Sequence, residues 1–243
     1  STKKELPKEI NEKLDHPDFA EKPGIKGLKD KGIDIDQIKE KLANCTPEDR
    51  AIFMENSDIP NSDVIQAILN GGGEKIHDSA TGKEVKFYQA SGKLAEGGMG
   101  GIYDVYYLQV GAGGKGLPQG PKFEKGILKR PHPQKVEKLN QKTLDWEDAG
   151  VRKAREIEDQ SNLLPPVYHD NSGLQIMPKV ESLYADGALE LNKVIPKGPP
   201  SDGAGLMAGY ALGVHSLNKE GKVNLDLKPA NTVYGSVDGV PKV

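Results

Sequence analysis

Apolar residues in the first seventy positions recur at helical spacing, interrupted by helix-start chemistry. Ile35, Ile38 and Leu42 share one face of a helix opened by Asp34-Ile35-Asp36-Gln37. Thr46-Pro47-Glu48-Asp49 supplies a capping hydroxyl, a proline at the first helical position and acids against the helix dipole. Asn61-Ser62-Asp63 opens another helix, which carries Val64, Ile65, Ile68 and Leu69 and ends at Gly71. Three or four short helices are therefore expected before Gly73. Their apolar faces are small for a core of their own, so they should pack on the next lobe or receive a partner.

The pattern then shifts toward strands. Thr81-Gly82 marks a turn before Glu84 to Ala90, where Val85, Phe87 and Tyr88 have strand character. Leu94 to Tyr103 reads as strand, glycine turn, strand, and Lys125 to Arg130 as a short strand. A long polar helix is expected from about Gln134 to Asn162, and a strand over Leu174 to Val180. Leu206 to Leu217 forms the next helix, with Tyr210, Val214 and Leu217 on a buried stripe. Thr232-Val233-Tyr234 and Val240 to Val243 predict a hairpin closed by Ser236-Val237-Asp238-Gly239. These elements divide the chain into a helical extension (1–73), a strand-rich lobe (74–180) and the start of a helical lobe (181–243).

Composition narrows the function classes. The 243 residues hold 33 Lys plus Arg against 36 Asp plus Glu, a net charge of −3, which gives no basis for nucleic-acid binding or a polybasic membrane anchor. No apolar run approaches the ~20 residues that span a bilayer. The single cysteine, Cys45, excludes an internal disulfide framework and reads as a half-buried helix residue. A cytoplasmic location is expected, with secretion into a host cell as the second possibility.

Candidate chemistry concentrates in Asn224-Leu225-Asp226-Leu227-Lys228-Pro229-Ala230-Asn231. It spaces an acid, a base and an amide so that Asp226 can orient a hydroxyl, Lys228 can reach a phosphoryl group and Asn231 can offer oxygen to Mg²⁺. Upstream, Leu94-Ala95-Glu96-Gly97-Gly98-Met99-Gly100-Gly101-Ile102-Tyr103 lets backbone approach phosphate oxygens without a Cβ in the way. The run from Gly111 to Pro118 lacks the Lys-Ser/Thr step of a P-loop and reads as a connection.

The two motifs together resemble eukaryotic-like protein kinases of the bacterial Ser/Thr or effector type. The first is similar to H-R-D-L-K-P-x-N, with Asn224 and Leu225 in place of His and Arg; the second to L-G-E-G-G-M-G-x-V-Y, with Ala95 in place of the first glycine. The resemblance implies an α+β, bilobal kinase-like fold with an antiparallel-sheet N-lobe and a partial helical C-lobe. It implies ATP and Mg²⁺ as cofactors and a protein hydroxyl as acceptor. Lys129, ending Gly126-Ile127-Leu128-Lys129, matches the lysine that pairs with phosphates. Arg155-Glu156-Ile157 resembles the αC segment, which makes Glu156 the expected partner of Lys129 and Glu158 the fallback. Leu94, Gly97, Gly98, Gly100 and Ile102 would enclose the nucleotide from above. Met177 would be the gatekeeper, the backbone of Pro178 and Val180 would meet the adenine edge, and Val233 would lie beneath it. Asp226 and Lys228 would be catalytic and Asn231 the metal ligand. His215 matches a structural histidine of the family.

Two departures qualify the expectation. The Asp-Phe-Gly tripeptide, whose acid holds the second metal position, occurs nowhere in the sequence. We therefore expect a piece of a longer kinase, with activity belonging to the longer protein. Leu225 removes the cation that normally receives an activation-segment phosphate, so no such switch is expected. The alternative is a pseudokinase, a nucleotide-regulated binding module; a small-molecule phosphotransferase usually writes this loop differently.

Overall fold

The computed structural model describes residues 4–98, 100–110, 123–136, 141–156, 165–197, 203–219, 221, 232–237 and 239–242. The structure is mixed α+β, and its defined strand registers are antiparallel. One sheet has the order β1-β2-β3-β4-β6-β5, comprising β1 (Glu74–His77), β2 (Glu84–Glu96), β3 (Gly100–Val110), β4 (Glu124–Pro131), β5 (Tyr168–His169) and β6 (Gln175–Pro178). Backbone packing separates two compact units: Ser1–Ala95 with Tyr103–Lys125, and Glu96–Ile102 with Gly126–Val243.

In the first unit six helices precede the sheet among the described residues: α1 (Lys8–Asp15), α2 (Pro17–Ala20), α3 (Pro23–Asp30), α4 (Ile35–Asn44), α5 (Pro47–Asn56) and α6 (Ser62–Leu69). That exceeds the three or four read from periodicity. The short early helices are signalled instead by Pro17 and Pro23 at their first positions, where the missing N–H costs nothing. The predicted starts of α4 to α6 are capped as expected. Asp34 and Gln37 exchange side-chain to backbone bonds at 2.9 Å, a reciprocal capping box. Thr46 Oγ1 accepts from Asp49 N–H at 3.1 Å, and Asn61 Oδ1 from Asp63 N–H at 3.1 Å. Cys45 follows α4 as its C-cap and is buried.

The helices do not form a core of their own. Leu14, Leu28, Ile38, Leu42, Phe53 and Ile65 share one cluster with Tyr88, Tyr106, Leu108 and Val110 of the strands. Beside it, α5 and the first hairpin meet through charge. Lys86 Nζ lies 3.1 Å from Asp49 Oδ1 and 3.3 Å from Glu48 Oε2, and the Tyr88 hydroxyl donates to Asp49 Oδ1 at 2.6 Å. Lys75 bridges Glu48 at 3.0 Å and Glu84 at 2.8 Å. Asp49 and Lys86 are 2% and 4% exposed, so the centre of this network is sealed from water, while Glu48, Glu84 and Lys75 form its partly exposed rim. Gly73 leaves the space it needs: a Cβ there would stand 2.6 Å from Lys86 Cε and from the Tyr88 ring.

In the second unit β4 leads into α7 (Pro133–Val136) and α8 (Gln141–Glu156). The single helix expected over 134–162 is described only within these bounds. Leu128 and Ile176 face each other across β4 and β6 and are both fully buried. After α9 (Leu191–Val194) comes α10 (Gly203–Lys219), whose Tyr210, Val214 and Leu217 are half-buried, while His215 is exposed. The C-terminal hairpin pairs β7 (Gly235–Val237) with β8 (Val240–Lys242). Thr232 to Tyr234, expected to be its first strand, pairs instead with residues 189–191: Leu191 N–H donates to the Thr232 carbonyl at 2.9 Å, and Tyr234 N–H to that of Leu189 at 2.8 Å. No helix of the described residues is long and apolar enough to cross a membrane.

Candidate functional site

The glycine turn is built against the end of β4. Gly97 N–H donates to the Gly100 carbonyl at 2.9 Å and closes the turn. Gly100, at the start of β3, has no room for a side chain because a Cβ there would collide with the Arg130 carbonyl. Its glycine is thus accounted for by close backbone packing. Gly98 differs: a Cβ there would meet nothing within 4 Å, and no acceptor among the described residues takes its N–H. His132, just past β4, places Nε2 3.0 Å from the Gly97 carbonyl and 3.6 Å from Glu96 Oε1.

The β4/β6 register sorts side chains between the two sheet faces. Ile127 stands opposite Met177, and Lys129 opposite Gln175; His169 of β5 lies beyond Gln175 in the same row. Directly opposed residues share a face, so Lys129, Ile127, Met177, Gln175 and His169 all occupy one side. Helix α8 covers that side. Gln175 Nε2 donates to Glu147 Oε1 at 3.4 Å, and His169 Nδ1 lies 2.7 Å from Asp148 Oδ1, while the other oxygen, Asp148 Oδ2, accepts from Arg152 Nε at 2.8 Å. The Lys129 side chain is half-buried and makes no hydrogen bond or ion pair to another described residue. Glu156, the last residue of α8, is exposed and pairs with Lys153 at 2.8 Å. Nine residues of helix, about 13 Å, separate it from Glu147, whose carboxylate touches Lys129's cross-strand neighbour. The R-E-I resemblance singles out the helix end, and the contact of Glu147 with Gln175 had no signal in the sequence. The expected helical face would have needed the β4/β6 register to find it.

The remaining predicted positions fall as follows. Leu94 lies on β2 and is exposed, and Ile102 on β3 is half-buried. Met177 and Pro178 end β6, and Val180 follows, packed against Gly235. Glu181 and Ser236 exchange N–H to carbonyl bonds at 2.8 Å each way. With the Glu190–Val233 bridge, this ties the segment after β6 to the chain around Val233. The turn after Met177 and the half-exposed Val233 are therefore held near one another. Asp226, Lys228, Asn231 and Glu158 lie outside the described residues.

No family model, curated protein or solved structure matches this chain. The chemistry of the site therefore rests on its own geometry and on the sequence motifs.

The glycine turn packs against the end of β4, the strand whose half-buried Lys129 shares with Ile127 and Met177 the face that α8 covers.

Proposed function

We propose that the chain carries the nucleotide-binding part of a protein serine/threonine kinase, which transfers the γ-phosphoryl group of ATP to a protein hydroxyl. The observation that carries this reading is the register that sets Lys129, Ile127 and Met177 on one face beneath α8. The strand order supports it too, because β6 inserts beside β4 although α8 and β5 intervene in sequence. The ordered motifs at 94–103 and 224–231 add the chemistry. In this reading Ile127 and Met177 flank adenine, the Gly98 N–H and Lys129 hold phosphates, and the backbone after Met177 meets the adenine edge. Asp226 orients the acceptor hydroxyl, and Lys228 offsets charge that develops on the transferring group. Mg²⁺ would be held by Asn231 and would neutralise phosphate charge. The donor set fits it in part, since an amide oxygen suits a hard cation.

The test is transfer of label from γ-labelled ATP to a generic protein acceptor by the longer protein, alongside ATP binding by this chain. Lys129→Met is expected to lower transfer by about two to three orders of magnitude, an effect typical of removing one electrostatic contact to the reacting group. ATP binding by the unaltered chain with no transfer by the longer protein would favour the nucleotide-regulated binding module, which Ala95 and Asn224 suggest.

The contact of Glu147 with Gln175 makes a second expectation. Lys129 sits one strand spacing, about 4.8 Å, from Gln175, so its four-carbon stem can reach the Glu147 carboxylate by a rotamer change. Glu147→Gln should lower transfer by about tenfold or more, and Glu156→Gln should leave it unchanged. Steady-state kinetics of the two variants side by side decide which carboxylate serves Lys129.

A further inference from the structure

We infer that His132 is a positioning residue that aims the Gly98 N–H at the nucleotide's phosphates, an inference that rests on the reading just proposed. A trans peptide is planar, with its C=O and N–H pointing in opposite directions. The Gly97 carbonyl and the Gly98 N–H belong to one such unit. His132 Nε2 lies 3.0 Å from that carbonyl, and since a carbonyl only accepts, the Nε2 carries the hydrogen. The bond holds the carbonyl toward His132, so the Gly98 N–H of the same planar unit points away from the imidazole; a Cβ at Gly98 would meet nothing within 4 Å. Elsewhere in the turn, Gly97 N–H is taken by the Gly100 carbonyl and Gly100 is pressed on Arg130. The Gly98 N–H has no acceptor among the described residues, and His132 sets the direction of its peptide.

The imidazole is held on its own side. Pro131 and Pro133 flank it and restrict the backbone, and its side chain is about one third exposed. Glu96 Oε1, 3.6 Å from the same Nε2, is the competing acceptor. A donor aimed in advance need not be reoriented when an anion arrives, which is how fixed backbone dipoles favour phosphate.

The experiment compares binding of ATP and of adenosine to this chain and to His132→Ala and His132→Gln. Gln keeps an N–H donor at similar reach. His132→Ala is expected to weaken ATP about tenfold, as for one hydrogen bond to a charged group, with adenosine affinity unchanged; His132→Gln should recover most of the loss. In the unaltered chain, ATP but not adenosine should shift the Gly98 amide proton resonance. ATP binding unaffected by His132→Ala overturns the inference alone. So does an equal loss for adenosine, which marks general damage, or a Gln variant as weak as Ala. An unaltered chain that binds no ATP overturns the kinase reading itself, and this inference with it.

Discussion

Asp49→Ala is expected to destabilise the protein by about 3–5 kcal/mol, the cost of leaving a buried charge without its partner. The change strips Lys86 of its nearest carboxylate, 3.1 Å away, and strips the Tyr88 hydroxyl of its acceptor. Glu48 remains within 3.3 Å of Lys86 but is shared with Lys75, so it cannot fully substitute. The cost is the stranding of Lys86, not the loss of attraction, and this can be separated. The triple change Asp49→Leu, Lys86→Met, Tyr88→Phe removes the buried carboxylate, ammonium and hydroxyl together and keeps volume near constant, leaving the partly exposed Glu48 paired with Lys75. It should unfold at a denaturant midpoint much closer to the original than Asp49→Ala does. If the triple variant is the weaker of the two, the network contributes net attraction and the desolvation argument fails. The same site gives an alkaline signature. Burial first, and then the Asp49 carboxylate, push the Tyr88 phenol well above its ordinary value. A group whose folded pKa is raised contributes stability that is fully present below the unfolded value, about 10, and is lost as pH climbs beyond it. Tyr88→Phe should flatten that alkaline loss in thermal melts taken between neutral and strongly basic pH.

If the proposed kinase reading holds, Asp226→Ala should cut phosphoryl transfer about a hundredfold to ten-thousandfold, the range for a positioned acid–base group. The affinity for ATP should barely change. The reason lies in the division of labour. In the proposed reading Lys129 and the glycine turn would contact the nucleotide, whereas Asp226 would act on the incoming hydroxyl, which is absent from the binary complex. Binding titrations and turnover measurements on one variant therefore separate the two roles. An Asp226→Ala protein that keeps its rate would remove the catalytic-loop assignment. One that loses ATP affinity in proportion to rate would move Asp226 to the nucleotide.

Local chemistry was legible in the sequence. Caps at Asp34, Thr46 and Asn61 announced three helices because a capping side chain and its target lie within three residues. The glycine turn and the strand after it were readable for the same reason. What escaped depends on partners distant along the chain. Glu48 and Asp49 were read as acids favoured by a helix dipole, which they are, yet they also reach Lys75, Lys86 and Tyr88 across a sheet that sequence spacing does not reveal. Lys86, between Val85 and Phe87, carried no signal of its own and is almost fully buried. Glu147 and His132 likewise acquire their meaning from β6 and from the turn. The hairpin at the C-terminal end was misjudged by one pairing, since Thr232 to Tyr234 found residues 189–191 before β8.

The alternation of β4 against β6 also limits how this protein can vary. A strand reads its two faces by parity, so deleting one residue within Gln175–Pro178 would trade the inward set for the outward one. Met177 would exchange places with a neighbour from the opposite side, and Lys129 would look across at an oily residue instead of a polar one. Drift in length must accordingly accumulate before or after this segment, while inside it only like-for-like replacements preserve the face that α8 covers.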